Sequence, residues 1–304
     1  MGPQTHSQSL RSAYIKLVLC AFFWGATFIA GRIAVQAMPP LTVATGRFVI
    51  ASVLLLLIAY RVEGGLPKLS HKQLWVTLLL GLTGISIYNF FLFGALERMP
   101  AGKTALLVAL SPIMTAVTVA LILKEKLGFY RWGGIALALI GTLTIVTQGD
   151  ILNATQSLIQ TFSWGELLMF GAIVSWVSYT VISRFALRGL SPIAATTYAT
   201  LWGTLVLGLA ALTELDRLSA EMLTWNNFFA IFYLGAFGSA IAFIWYNEGV
   251  KMIGPARTVV FTNLVPVFGL LLSYLILDEP VYISMVIGGA IVIAGVTLTN
   301  QANK

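Results

Sequence analysis

Ten apolar runs divide the chain, separated by short polar stretches: residues 13–36, 41–61, 73–96, 101–123, 129–147, 164–187, 192–213, 227–249, 256–277 and 281–299. Each is about 20 residues long, and a helix rising 1.5 Å per residue needs that length to cross roughly 30 Å of hydrocarbon. The pattern predicts ten transmembrane helices, with no stretch left over for a water-soluble domain. The first run exceeds the roughly 7–15 residues of a signal-peptide core, so it reads as a retained helix. Residues 1–12 are polar and are expected to be a disordered tail.

The runs are duplicated. Leu80 to Val146 and Leu234 to Asn300 align without a gap at a spacing of 154 residues, pairing Gly81/Gly235, Gly84/Gly238, Thr104/Thr258, Pro112/Pro266, Glu125/Glu279, Gly134/Gly288 and Gly141/Gly295. Upstream, at a spacing of 152, Trp24 pairs with Trp176, Arg32 with Arg184 and Pro40 with Pro192. Leu and Ala match readily between apolar stretches; Pro, Trp, Glu and Arg in one register do not. A duplicated hydrophobic half marks many secondary transporters, whose substrate site lies between the halves. The chain divides into a polar tail (1–12), a first five-helix repeat (13–147), an inter-repeat loop (148–163), a second five-helix repeat (164–299) and a tail (300–304). Five is odd, so the second repeat enters the membrane from the opposite side. The expected fold is an all-α integral membrane protein of ten transmembrane helices in two inverted five-helix repeats.

Charge supports the inversion. Loop 61–72 carries Arg61, Lys68 and Lys72 against Glu63, while its counterpart near 214–226 carries Glu214, Asp216 and Glu221 against Arg217. Loop 124–131 carries Lys124, Lys126 and Arg131 against Glu125, and its counterpart 278–285 carries Asp278 and Glu279 with no base. Equivalent loops thus have opposite bias, as the positive-inside rule requires of loops on opposite sides. Cytoplasmic termini place 13 of the 18 Lys and Arg residues at inner helix ends, with Arg98 and Lys103 as a local exception. The formal net charge of +7 follows from this orientation rather than from one basic face, so no nucleic-acid partner is expected. Only 10% of residues are charged, against roughly 25% in soluble domains, and the mean hydropathy is +0.90. Cys20 is the lone cysteine and His6 and His71 lie outside the runs, so no disulfide, metal site or cofactor is expected.

Several residues inside the runs invite a role. Pro112 and Pro266 fall mid-run in helices 4 and 9, where a proline leaves the carbonyls of Val108 and Thr262 without helical partners; hinges beside a substrate cavity and plain kinks are the two readings. Trp24 and Trp176 lie mid-span, unlike Trp132, Trp164 and Trp225, which fit an interfacial belt. Tyr88 and Phe91 continue the face of Gly81 and Gly84, and Trp245 continues that of Gly235 and Gly238. Those aromatic residues either line a pocket or face lipid. Gly134 and Gly141, with Gly288 and Gly295, read as helix packing, within the bundle or between protomers. Glu125 and Glu279 each precede a helix whose N-terminal dipole a carboxylate stabilises.

No Asp or Glu lies at mid-depth, and Arg32, Arg47 and Arg184 all lie toward helix ends. The cavity between the halves is therefore expected to be nearly neutral. Its candidate lining is Trp24, Tyr88, Asn89, Ser111, Trp176, Tyr179, Trp245, Tyr246 and Asn263, with Pro112 and Pro266 as hinges. A membrane enzyme would need a nucleophile–base pair or a metal, and no intramembrane His or mid-depth carboxylate supplies one. Without such a group to carry a proton, uniport is the expected mode.

Trp24-Gly25, the run Ala105–Leu123 with Ser111-Pro112 leading to Glu125, Gly134 to Gly141, Asn263-Leu264-Val265-Pro266 leading to Asp278-Glu279, and Gly288 to Gly295 carry a family likeness. With these motifs the chain resembles the drug/metabolite transporter superfamily in its ten-helix EamA-like branch, over essentially the whole membrane part. The resemblance implies export of amino acids or other small metabolites across a bacterial inner membrane by alternating access. Within the branch it is most similar to exporters of aromatic amino acids. One departure is Val177, which stands where the first repeat has Gly25. The partners expected are a small-molecule substrate, aromatic or other large neutral amino acids first, and membrane lipid. An antiporter of nucleotide sugars or organic phosphates and a proton-coupled drug exporter are the alternatives.

Overall fold

A computed structural model describes residues 3–301 except 109, 112, 116, 119–128, 148, 150–162, 187–188, 254–257 and 259–260. Pro112, Glu125 and most of the inter-repeat loop fall outside the described residues. Among these, every regular element is helical: α1 (Pro3–Ala37), α2 (Pro40–Glu63), α3 (His71–Arg98), α4 (Ala101–Val108), α5 (Phe129–Val146), α6 (Trp164–Ala186), α7 (Pro192–Ala211), α8 (Trp225–Ile253), α9 (Leu264–Leu277) and α10 (Ile283–Gln301). Six of them are long and apolar enough to cross a membrane, and α4, α5, α9 and α10 are shorter apolar helices. Residues 3–12, expected as a disordered tail, continue α1 instead. Nothing between Gln4 and Ser12 breaks a helix, and Pro3 sits in the first turn, where its missing N–H costs nothing.

Helix ends follow local chemistry. Ser70 and Gln73 close a reciprocal capping box at the start of α3. Ser191 caps α7 and Thr224 caps α8, while Gly64, at φ 74°, ends α2 in the left-handed conformation that glycine adopts without strain.

The halves are inverted. Glu63, at the end of α2, accepts a hydrogen bond from Ser191 at the start of α7 (2.8 Å). At the other end, Glu214 beyond α7 accepts the amide N–H of Thr42 at the start of α2 (2.8 Å). Equivalent helices therefore run antiparallel. Residues that meet their own repeat counterparts mark the pseudo-two-fold axis: the Trp24 and Trp176 rings lie 6.1 Å apart, and Ser52 Oγ and Thr204 Oγ1 are 3.0 Å apart. We call the end holding Glu63 and Ser191 the basic end and that holding Glu214 and Glu279 the acidic end.

The glycine pairs allow backbone contact. A Cβ on Gly141 would meet the Gly288 carbonyl oxygen at 2.6 Å, and one on Gly295 the Gly134 oxygen at 2.6 Å, so α5 packs on α10 within the bundle. Gly81 and Gly235 likewise face the carbonyl oxygens of Ala199 and Arg47, each at 2.6 Å. Trp132, Trp164 and Trp225 sit exposed at helix starts, as a belt requires.

Three features depart from expectation. First, Gly81–Ile87 and Ala236–Ile241, at matching positions in α3 and α8, are π-helical. A π turn disturbs the carbonyl ladder, and in an apolar bundle those carbonyls need partners. Ser86 Oγ reaches the Gly81 oxygen (3.3 Å) and the Gly203 oxygen (3.2 Å), Ser239 Oγ donates to the Leu234 oxygen (3.0 Å), and Ser175 Oγ to the Thr83 oxygen (2.6 Å). Second, Pro266 is not mid-helix. The chain turns at Thr262-Asn263, α9 starts at Leu264, and the Thr262 oxygen accepts the Val265 N–H at 3.1 Å. In a first turn the proline removes no bond the helix would have made. In the first repeat Leu110 is likewise in a turn, and Pro112 lies outside the described residues. Third, Glu279 caps α4, not α10: its carboxylate accepts the N–H groups of Ala101 (2.9 Å) and Gly102 (3.1 Å) in the opposite half.

Candidate functional site

Around the axis a cavity of about 80 Å³ is walled by both halves, with α1, α2, α3, α6 and α8, the α4 segment and the start of α9 contributing. Its aromatic wall is one cluster. The Trp24 ring lies 5.2 Å from Tyr246 and 5.7 Å from Phe243, and Trp176 lies 5.3 Å from Tyr88 and 5.8 Å from Phe243. Trp24 Nε1 donates to the Gly238 oxygen at 3.1 Å, which fixes the indole plane. That oxygen belongs to the π turn of α8, so the irregular backbone orients a cavity ring. The hydroxyl-bearing side chains of Thr27, Ser111, Thr115, Thr180 and Thr262 complete the wall.

One wall is charged. Arg47 is only 4% exposed and lines the cavity. Its Nε donates to Ser239 Oγ (2.7 Å), Nη1 to Asn89 Oδ1 (3.1 Å) and Nη2 to the Gly238 oxygen (3.4 Å). Its Cζ lies 5.0 Å from the Phe48 ring centroid and 6.0 Å from that of Phe93, within cation–π range. Asn89 is held in turn by Nδ2 donating to the Ile85 oxygen at 2.8 Å. The expected neutral cavity is thus corrected to a cationic one. Arg47 lies seven residues into α2, roughly 10 Å at 1.5 Å per residue, but it turns to the axis rather than to the surface.

Six of the nine candidates line this cavity: Trp24, Tyr88, Asn89, Ser111, Trp176 and Tyr246. Tyr179 stands one layer behind, stacked on Trp176 at 5.1 Å and pressed on Gly84, where a Cβ would meet its ring at 2.2 Å. Trp245 turns away and stacks on Phe23 at 5.7 Å. Asn263 is buried at the turn before α9, its side-chain oxygen without a hydrogen-bond partner among the described residues. Pro266 borders an apolar groove with Leu270, Tyr274 and Met285. Arg47, Thr27, Thr180 and Phe243 were not foreseen. For Arg47 a signal existed: its repeat counterpart, 152 residues on, is Ala199, so a charge breaks an otherwise matched register.

Beyond the cavity, the acidic end holds a buried ion pair and a part-buried hydrogen bond between helices. Lys103 and Glu166 form an ion pair between α4 and α6, and Arg32 donates to the Leu96 oxygen. Contacts at the basic end are more exposed: Lys16 pairs with Glu248 at 2.7 Å with about a third or more of each side chain in solvent (37% and 40%), and Gln73 reaches the Gly189 oxygen at 3.1 Å.

Two inverted five-helix halves around a shared central cavity define a membrane transporter of small molecules. Residues 11–147 and 163–301 each match the EamA-like transporter family, and the chain belongs to that family. It is 31% identical over 288 residues to the "Uncharacterized transporter YyaM" of Bacillus subtilis, covering 93% of this chain and 92% of that one. It is also 27% identical over 285 residues to the chloroplastic "WAT1-related protein At3g02690" of Arabidopsis thaliana, covering 92% and 67%. A solved crystal structure at 21% identity shares the fold, with a TM-score of 0.68 over 96% of this chain and 98% of that one.

Proposed function

We propose that the protein is an exporter of aromatic and other large neutral amino acids, working by alternating access as a uniporter. The aromatic cluster of Trp24, Tyr88, Trp176, Phe243 and Tyr246 carries this reading, because flat π faces around a hydroxyl-lined space suit a substrate with one ring and a polar head. A pocket for such a ligand is commonly about 300 Å³ or more. The 80 Å³ present therefore belongs to a contracted state, and loading requires the halves to separate. Uniport is supported by the wall itself, which among the described residues includes no Asp, Glu or His to carry a proton. Pro112 and Pro266, which follow the turns at Leu110 and Thr262-Asn263 in the sequence, are proposed hinges.

The basic end, with Arg61, Lys68 and Lys72, faces the cytoplasm of a bacterial cell in this reading, which places both termini inside. Lys126→Cys and Pro280→Cys then label from opposite sides of the membrane. Antiport of organic phosphates draws on the same Arg47. A dianionic phosphate, however, would meet a single guanidinium and no lysine among the described residues of the wall.

Proteoliposome counterflow decides between them. Labelled tyrosine is expected to exchange and labelled sugar phosphate is not, with equal initial uptake whether or not a pH gradient is imposed. Uphill accumulation of tyrosine driven by that gradient would overturn uniport.

A further inference from the structure

Arg47 has five N–H donors and spends three of them, on Ser239, Asn89 and Gly238, all neutral acceptors. Each terminal nitrogen keeps one N–H. The chain has 11 acidic residues, and those among the described residues sit at helix ends and in loops, none within ion-pair distance of Arg47. An intramembrane cation ordinarily has a partner, because a buried charge without one is costly. Here the surroundings hold the guanidinium in place, through locked Asn89 and Ser239 and two aromatic faces, and leave its charge uncompensated.

Two free N–H groups on one guanidinium match the two oxygens of a carboxylate. An α-ammonium finds no such partner, since no carboxylate lines the cavity among the described residues. We propose that Arg47 reads the substrate's carboxylate and that charge recognition ends there: the site takes aromatic monocarboxylates with or without an α-amine. A zwitterion leaves the wall with its positive charge, whereas a monocarboxylate anion neutralises it. The deaminated acid therefore binds at least as tightly as the amino acid. This rests on the aromatic reading only in placing the ring against Trp24 and Trp176.

Calorimetric titration of the purified protein tests it with tyrosine, 3-(4-hydroxyphenyl)propionate, tyramine and hexanoate. The propionate is expected to bind as well as tyrosine or better, and tyramine roughly 10- to 100-fold more weakly, the span expected for hydrogen bonds to a charged group. Arg47→Gln removes the propionate's advantage and Arg47→Lys retains part of it. If Arg47→Gln does not fold, Asn89→Asp decides, because a carboxylate placed on Nη1 neutralises the cation without removing it and is expected to abolish propionate binding. Tyramine binding as tightly as the propionate overturns the proposal, as does a folded Arg47→Gln or Asn89→Asp that binds the propionate like the wild type. Hexanoate bound through Arg47 with every aryl ligand silent refutes the aromatic reading and leaves carboxylate recognition standing. Silence from all three carboxylates overturns carboxylate recognition itself.

Discussion

Replacing Glu279 with alanine is expected to loosen the acidic end of the bundle by about 1–2 kcal/mol, within the range for losing a helix cap. The carboxylate follows α9 but accepts the first two N–H groups of α4, at 2.9 and 3.1 Å, so it ties one half to the other. It also faces the positive end of the α4 dipole, adding about 0.3–1 kcal/mol. When that end opens, water replaces the carboxylate at these N–H groups, so the loss falls on the closed arrangement alone. A cost of 1–2 kcal/mol corresponds to a roughly 5- to 30-fold shift toward the open arrangement. Leu92, buried on the cavity wall, provides the reporter position. Leu92→Cys on a Cys20→Ser background is labelled by a membrane-impermeant maleimide added at the acidic side. Glu279→Ala should raise the labelling rate by that factor, and Glu279→Gln, which keeps one acceptor oxygen without the charge, by less. Wild-type labelling rates in a normally folded Glu279→Ala protein would refute a closing role and reduce Glu279 to a local cap.

The Lys103–Glu166 pair is buried on both sides, so Lys103→Met or Glu166→Gln alone should cost about 3–5 kcal/mol in thermal unfolding, while an apolar replacement of both recovers most of the loss. A double replacement that costs the sum of the two single losses would show that the charges do not act as a pair. Gly84→Ala puts a Cβ 2.2 Å from the Tyr179 ring, and overpacking of about 1–3 kcal/mol should lower the melting temperature and displace Trp176 with Tyr179. Unchanged melting and unchanged tryptophan fluorescence would show that α3 and α6 have slack at this contact.

The helical architecture was legible because lipid leaves a backbone few choices: polar groups inside it must be satisfied within the helix, so spans appear as apolar runs. Inversion was legible from parity and loop charge. The π turns were not, because a single extra residue per turn leaves no mark on hydropathy; only the paired glycines Gly81/Gly235 and Gly84/Gly238 pointed to those places. Pro266 was visible, yet the chain turns before it, at Thr262-Asn263, since a proline is accommodated in the first turn of a new helix. Glu279 was read against its nearest neighbour in sequence, while its partner lies 178 residues away. Arg47 was misplaced for a related reason. Distance from a helix end measures depth, but not the direction in which a side chain turns.

The duplicated residues and the unduplicated ones divide by role. Glycines at the α3/α7 and α2/α8 contacts and the π turns occur in both halves. These are backbone devices, and an inverted repeat needs them twice, because exchanging the conformations of the two halves turns an outward opening into an inward one. The polar chemistry of the cavity is not duplicated. Arg47 faces the register of Ala199, Tyr88 that of Ala242, Asn89 that of Phe243 and Ser111 that of Val265. The proposed substrate, with a ring at one end and a carboxylate at the other, has no two-fold symmetry, so a wall with matching cations on both sides would offer it two competing orientations. Placing the cation in one half and apolar groups at its counterpart leaves one favourable orientation. Trp24 and Trp176 are the exception that fits: they lie at the axis, where each half presents the same ring to the same space.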